Sequence, residues 1–258
     1  MQDRSKQKLP RLITISISHY CEKARWALER LNVPYIEERH APLLHWLATT
    51  PNGGRSVPVL VTEAGTFTDS TEILQYLDGM SPVSTKLYPA DPELRREVEK
   101  LEDLFDRRLG PSTRVWFYFY MLDNRDVMVR LFCDGVESVE QELFAIVFPC
   151  VREAMRQAMN VKAESAARSH QEIRNIFETV NQLLADGRRY LVGDNFSACD
   201  LTFACLAAPV LLPTEYSARL PESNELPGEM AQAIAQFRET PAGAYALRLF
   251  REERFSQH

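Results

Sequence analysis

The most specific pattern in the chain is Ser56-Val57-Pro58-Val59-Leu60-Val61, followed after a short turn by Asp69-Ser70-Thr71-Glu72. A proline has no N–H for a sheet ladder, so it fits the first residue or the edge of a strand, and we expect a cis X-Pro bond at this place. The backbone of Val57 is then free to pair with another group. Glu63-Ala64-Gly65 predicts a hairpin turn into Thr66-Phe67-Thr68, and a helix start at Asp69-Ser70 follows. Such a start attracts a carboxylate.

This strand, hairpin and helix start resemble the second half of the thioredoxin-like domain of glutathione transferases. The resemblance implies that Val57, ahead of Pro58, pairs with the cysteinyl backbone of glutathione, and that Asp69 and Ser70 hold its γ-glutamyl end. The alternative is an edge hairpin with an ordinary helix cap. The pattern upstream of the proline favours the resemblance to the family over an ordinary edge hairpin.

The upstream chain alternates strands and helices. Leu12–Ile17 has a strand pattern, and Ser18–Leu31 changes to helical spacing. Tyr35–Arg39 predicts a second strand, and Leu43–Thr49 a short helix before the turn at 51–54. The resulting order β-α-β-α-β-β-α, up to Gly79, is that of a thioredoxin-like domain.

No strand pattern follows, so the sequence predicts an all-α second domain. Ser197-Ala198-Cys199-Asp200 is a capping box that opens a helix through Leu212, apolar nearly all round and therefore buried. Ser169 and Glu172 have the spacing of a further capping box. The predicted organisation is a thioredoxin-like, glutathione-binding domain at 1–80, a linker at 81–91 and an all-helical domain at 92–258, which is a glutathione transferase-like fold class.

One part of the second domain departs from the compact members of the family. The segment 124–163 is longer than they lead us to expect, and its role stays open. Pro149 predicts a kink or break in the apolar helix there, because proline removes a helix hydrogen bond.

Composition limits the class of protein. The chain has 258 residues, a formal charge of −6 and a pI near 5.5, which argue against a general nucleic-acid binder. The apolar run Val115–Leu122 is too short to cross a membrane. The amino end, Met1 to Leu9, lacks the apolar core of a secretory signal, so we expect a cytoplasmic protein. Five scattered cysteines indicate no disulfide framework.

The resemblance places the residue that acts on the glutathione sulfur just after the first strand, at Ser18. A serine at this place implies stabilisation of the glutathione thiolate, which attacks a hydrophobic electrophile. The alternative for Ser18 is a helix cap alone. Tyr20 is a second possible hydroxyl donor. Cys21, three residues after Ser18, lies on the apolar face of the helix, where a neutral core thiol is the common state.

Two other functions remain open at this point. A glutathione-dependent thiol-disulfide reductase would need an exposed, reactive Cys21. A non-catalytic binder of glutathione or a hydrophobic ligand would have the same backbone site without sulfur activation. Fold alone does not separate these functions from a transferase.

The remaining predicted contacts are less specific. Candidates for the glycyl carboxylate of glutathione are His40, His45 and Arg55. The loop before the proline, 51–58, is longer than is usual in the family and departs from its lysine-containing pattern. The electrophile pocket is expected between the domains and could include Tyr20, Arg114, Trp116, Phe117 and Tyr120.

The sequence has no second ligand pair for a metal and no permanently bound cofactor is expected. Glutathione is the co-substrate that the resemblance implies, and a homodimer is the implied assembly, with a role in detoxification.

Overall fold

The computed structural model of the chain describes residues 8–82 and 85–255. Residues 1–7, most of the amino end on which the expectation about a secretory signal depends, lie outside these ranges. So do residues 83–84 of the predicted linker, and residues 256–258. Within the described ranges, no helix is both long enough and apolar enough to cross a bilayer.

The amino-terminal part is a four-stranded sheet with helices, as the sequence predicts. The strands are β1 (Arg11–Thr14), β2 (Ile36–Arg39), β3 (Val59–Thr62) and β4 (Gly65–Phe67), in the spatial order β2-β1-β3-β4. β1 is parallel to β2 and antiparallel to β3, which is antiparallel to β4. The helices are α1 (His19–Arg30), α2 (Trp46–Thr49) and α3 (Ser70–Met80). The element order agrees with a thioredoxin-like domain.

Two strands are shorter than their sequence patterns. β1 ends at Thr14, because the next residues turn: Ser18 N–H donates to the Ile15 carbonyl at 3.0 Å, and the Ser16 hydroxyl donates to the Asp134 carbonyl. β3 begins at Val59, and the Val57–Pro58 peptide bond just before it is cis, as expected.

The remainder of the described chain is helical. Its α-helices are α4 (Pro92–Leu104), α5 (Gly110–Met121), α6 (Arg125–Phe132), α7 (Ser138–Ala158), α8 (Ala163–Leu183), α9 (Ala198–Leu211), α10 (Gly228–Glu239) and α11 (Pro241–Glu253). A π-helical turn, Phe105–Leu109, joins α4 to α5. The all-α prediction is therefore confirmed.

The predicted central helix is α9, which is buried along nearly its whole length and packs against α1, α4, α5, α10 and α11. Its start is fixed by Asp200, whose carboxylate accepts from Ser197 N–H at 2.8 Å, so the capping box is confirmed. Trp26 of α1 packs between Phe196 and Phe250. These aromatic contacts join the α/β part and the helices in one continuous core.

Two expectations about helix ends differ from the structure. Pro149 does not end α7, because the helix carbonyl that loses its N–H partner, that of Ala145, accepts from Arg125 Nη2 at 2.8 Å. The capping box predicted at Ser169 is wrong: α8 begins at Ala163, where residues with good helix propensity extend the helix toward the amino end.

Candidate functional site

Ser18 lies at the junction between β1 and α1, where the sequence predicts it. It is the N-cap residue of α1, and its Oγ accepts from Cys21 N–H at 3.4 Å. This bond uses an oxygen lone pair rather than the hydroxyl proton, so capping is compatible with donation to a ligand. The Tyr216 hydroxyl donates to the Ile17 carbonyl at 3.1 Å and so positions the turn before Ser18.

Two adjoining cavities lie where the α/β part meets the helices. The first, which we name the apolar cavity, has a volume of about 340 Å³ and includes Ser18; the second, the polar cavity, has about 680 Å³ and includes Asp69 and Ser70. Four residues line both: Tyr20, Ser56, Val57 and Arg114. One elongated ligand can therefore lie along Val57 and reach both ends of the predicted site.

The far end of the polar cavity is the start of α3. Asp69 is the N-cap residue, and the N–H groups of Thr71 and Glu72 both donate to its Oδ1. The second carboxylate oxygen of this exposed residue is thus left for other partners. Ser70 is buried, with 3% of its surface exposed, and also lines the cavity.

A buried polar network fixes the wall of the polar cavity. Lys23 of α1 is completely buried and forms salt bridges of 2.9 Å with Glu102 and 2.7 Å with Asp106. The Thr71 hydroxyl of α3 donates to Asp106 Oδ2 at 2.8 Å, and the Tyr88 hydroxyl donates to Glu102 at 2.8 Å. These bonds hold α1 and α3 against α4, and so fix Ser18 relative to the start of α3.

The apolar cavity is closed by side chains from both parts of the chain. Its walls include Leu43, Trp46, Phe117, Tyr118, Met155 and Met159. Two histidines, His19 and His45, also line it. Burial is the main cause that lowers the pKa of His19 to about 3 and the pKa of His45 to about 4, so both rings are neutral at pH 7.

Tyr20 and Cys21, the other candidates for a role at the sulfur, are engaged elsewhere. The Tyr20 hydroxyl donates its proton to the Asp106 carbonyl at 2.7 Å. Cys21 is completely buried, and this burial raises the pKa of its thiol despite the opposing effects of Arg25 and Ser18. Cys21 is therefore a neutral core thiol, as its place on the apolar helix face indicates.

The structure brings Arg114 and Phe117 to the apolar cavity, whereas Trp116 and Tyr120 lie outside both cavities. The ring centroid of the buried Trp116 is 5.2 Å from that of Tyr120 and 6.4 Å from that of His170 in α8. Trp116 therefore points from α5 toward α8, and Tyr120 packs against its ring. The predicted pocket residues of α5 therefore divide between the cavity and the core.

The three basic residues predicted to contact the glycyl carboxylate of glutathione do not all lie at the apolar cavity. Arg55 and His45 line the apolar cavity, and Arg55 is the charged one, because His45 is neutral. His40 is outside this lining: its Nδ1 is 2.9 Å from Glu140 Oε2. Glu140 also accepts from the N–H of the residue after His40 at 2.7 Å. These contacts attach α7 to the segment after β2.

Several residues of the apolar cavity are not predicted from the sequence, among them Tyr118, Tyr216, Met155 and Met159. The two methionines belong to the segment 124–163, which the structure shows to form a wall of this cavity. Their i,i+4 spacing in an amphipathic stretch is the one signal that places them on a common face. Tyr216 lies between α9 and α10, where no sequence pattern indicates its position.

Two family models match the sequence. The model described as the N-terminal domain of glutathione S-transferase matches residues 12–84, and the model of its C-terminal domain matches residues 140–228. Together these ranges cover more than half of the chain. The chain belongs to the glutathione S-transferase family.

Solved glutathione S-transferases share this fold at low sequence identity. One from Methylobacterium radiotolerans, in complex with glutathione sulfonate, is 22% identical with a TM-score of 0.54, over 93% of this chain and 95% of that one. One from Xanthobacter autotrophicus is 16% identical with a TM-score of 0.60, over 96% of each chain. One from Methylobacillus flagellatus, with GSH bound, is 18% identical with a TM-score of 0.53, over 92% of this chain and 98% of that one. Among curated proteins, no sequence matches significantly.

The glutathione S-transferase models cover one side of the site and omit part of the other. The range 12–84 includes Ser18, Val57 and Asp69-Ser70, whereas α5, with Arg114, falls in the stretch 85–139 that neither model matches. This wall must therefore be interpreted from its own side chains. In the described part of the chain, no group of three or more His, Cys, Asp or Glu side chains is arranged to hold a metal ion.

Proposed function

We propose that the protein is a glutathione transferase that binds glutathione across the two cavities and directs its thiolate to a hydrophobic electrophile in the apolar cavity. The observation that carries this proposal is the position of Val57, which lines both cavities between Ser18 and the start of α3. A tripeptide paired with the Val57 backbone would place its γ-glutamyl end at Asp69 and Ser70. Its sulfur would then lie at the Ser18 end.

The local chemistry is sufficient for sulfur activation. Lowering a thiol pKa from about 8.5 by about two units requires roughly 2.7 kcal/mol of preferential thiolate stabilisation. A hydrogen bond from Ser18 to an anion contributes about 1.5 to 3 kcal/mol, and the start of α1 adds about 0.3 to 1 kcal/mol. Together these two effects match the requirement.

The buried, neutral Cys21 argues against the alternative of a thiol-disulfide reductase, because that reaction needs an accessible thiolate. A passive binder differs from a transferase in whether the bound sulfur is ionised. Ultraviolet titration of bound glutathione tests this difference, and we expect the thiolate to form near neutral pH. A bound thiol that ionises only at its solution pKa would reject the transferase and favour the binder.

The finer features that the family resemblance implies are part of the same proposal. We place glutathione recognition in residues 1–80 and the electrophile-facing helices in residues 92–258, joined by 81–91. We also propose a cytoplasmic homodimer that acts in detoxification. Sedimentation velocity at micromolar protein concentration tests the assembly, and a single monomeric species would reject the dimer.

Replacement of Ser70 by alanine is expected to weaken glutathione binding by about 1 to 3 kcal/mol. Its hydroxyl is buried beside the polar cavity, so the change would leave a charged end of the ligand without a partner. Titration calorimetry measures the loss. The matched control is Ser81→Ala at the other end of α3, where the hydroxyl donates to the Leu77 carbonyl at 2.7 Å. Equal affinities for Ser70→Ala and the unmodified protein would remove the site assignment.

A further inference from the structure

The apolar cavity has an unbalanced charge. Among the described residues that line it there is no aspartate and no glutamate, whereas two arginines, Arg55 and Arg114, are present. Its two histidines are neutral at pH 7, because burial lowers the pKa of His19 to about 3 and that of His45 to about 4. The charged side chains of this otherwise apolar wall are therefore all positive.

Arg114 lies one helical turn after Gly110 in α5, and this places it against the start of α1. The Gly110 carbonyl is 3.1 Å from His19 Nε2, and the Tyr20 ring packs closely over the same glycine. The Arg114 charge contributes to lowering the pKa of His19 and opposes the burial that raises the pKa of Tyr118. Both of these rings line the apolar cavity.

Arg114 also lacks a carboxylate partner. Its Nε is buried and has no hydrogen-bond partner, and no salt bridge to Arg114 is found in the described part of the chain. Arg130 and Arg152 have a similarly buried Nε, yet their terminal nitrogens pair with Glu225 at 2.6 Å and Asp123 at 3.6 Å. Arg114 also lines the polar cavity, but it forms no ion pair with the acidic residues described there, and Asp106 pairs with Lys23 instead. A guanidinium that faces an apolar wall without a carboxylate partner gains from an anion that a ligand supplies.

We infer that Arg114 binds an anionic group of the electrophile, so the preferred substrates are aromatic electrophiles that carry a carboxylate. This inference rests on the proposed function. A cavity of about 340 Å³ holds a substituted aromatic ring, and Phe117 and Tyr118 provide flat apolar surface for it. The carboxylate would then fix the orientation of the ring toward the sulfur near Ser18.

The test compares 4-fluoro-3-nitrobenzoate with its methyl ester. In both, the glutathione thiolate forms a C–S bond, the C–F bond breaks, fluoride leaves with the bonding electrons, and the thiol proton goes to solvent. Rates are divided by the uncatalysed rate with glutathione, which removes the difference in intrinsic reactivity. We expect the unmodified protein to prefer the acid.

Arg114→Gln should lower kcat/KM for the acid by about ten- to hundredfold, mainly through KM, and change the ester by less than about threefold. Arg114→Lys should restore part of the preference, since it keeps the charge without the planar guanidinium. Arg96→Gln is the matched control: Arg96 is exposed on α4 and lines neither cavity, so both substrates should keep their rates. Circular dichroism checks that each variant is folded.

Four results would overturn the inference. Equal losses for acid and ester would show that Arg114 serves the sulfur or the fold. Weaker glutathione binding by calorimetry, with the acid-to-ester ratio unchanged, would assign Arg114 to a carboxylate of the tripeptide. Conjugation of the ester without preference for the acid would reject this inference and leave the proposed function standing. If the unmodified protein conjugates neither probe, the proposed function itself fails, and this inference fails with it.

Discussion

Replacement of Ser18 by alanine is expected to slow conjugation of an aromatic electrophile by about ten- to hundredfold at neutral pH, while glutathione still binds. One charge-assisted hydrogen bond to the thiolate is lost, and each 1.36 kcal/mol corresponds to a factor of about ten in rate. The predicted binding contacts, the Val57 backbone and the start of α3, are untouched. Turnover at saturating glutathione measures the first effect, and calorimetry measures the second.

The pH dependence shows where the loss arises. Without the Ser18 hydroxyl the bound thiol has a higher pKa. As the pH falls, its thiolate is therefore protonated at a higher pH than in the unmodified protein. The rate deficit of Ser18→Ala should therefore be largest near neutral pH and shrink as the pH rises above the new pKa. A deficit that stays constant at all pH values would indicate displaced substrate rather than a protonated sulfur.

Two further variants separate the serine mechanism from the reductase. Cys21→Ala should leave conjugation nearly unchanged, because that thiol is completely buried and neutral. Ser18→Cys should form a mixed disulfide with glutathione, detectable by intact mass. A harmless alanine at Ser18, together with an inactivating alanine at Cys21, would replace the transferase by the reductase.

The largest effect on stability is expected for Asp200→Ala, at about 3 to 5 kcal/mol. Asp200 is completely buried, and its carboxylate accepts from Leu191 N–H and Ser197 N–H, each at 2.8 Å, and from the Tyr245 hydroxyl. An alanine would leave these buried donors unsatisfied at the start of the central helix. Urea denaturation should give a lower midpoint with an unchanged slope.

Matched variants give the scale of this effect. Ser197→Ala should cost about 0.5 to 2 kcal/mol, the usual range for a helix cap. Asp194→Ala, at an exposed position in the same loop, should change stability by less than about 0.5 kcal/mol. The folded fraction of each variant should retain its conjugation rate. Full stability of Asp200→Ala combined with lost turnover would make Asp200 a functional residue.

The sequence by itself determined the features that depend on local chemistry. The proline that opens the β-branched run, the helix start at Asp69-Ser70 and the capping box at Ser197 each involve residues within a few positions of one another. Steric restriction and short-range hydrogen bonds act over this distance, so the pattern was sufficient to predict the order of strands and helices along the chain, the all-α part and the position of Ser18 after the first strand.

The tertiary structure alone decided which side chains share a cavity. In α5, Arg114 and Phe117 lie at the apolar cavity and Trp116 points toward α8, although Trp116 and Phe117 are adjacent aromatic residues in the sequence. Pro149 does not end α7, because Arg125, distant in sequence, satisfies the exposed carbonyl. Met155 of α7 lines the cavity, and Glu140 of the same helix bonds to the segment after β2, which is distant in sequence. These outcomes depend on packing between distant segments, which short-range pattern cannot specify.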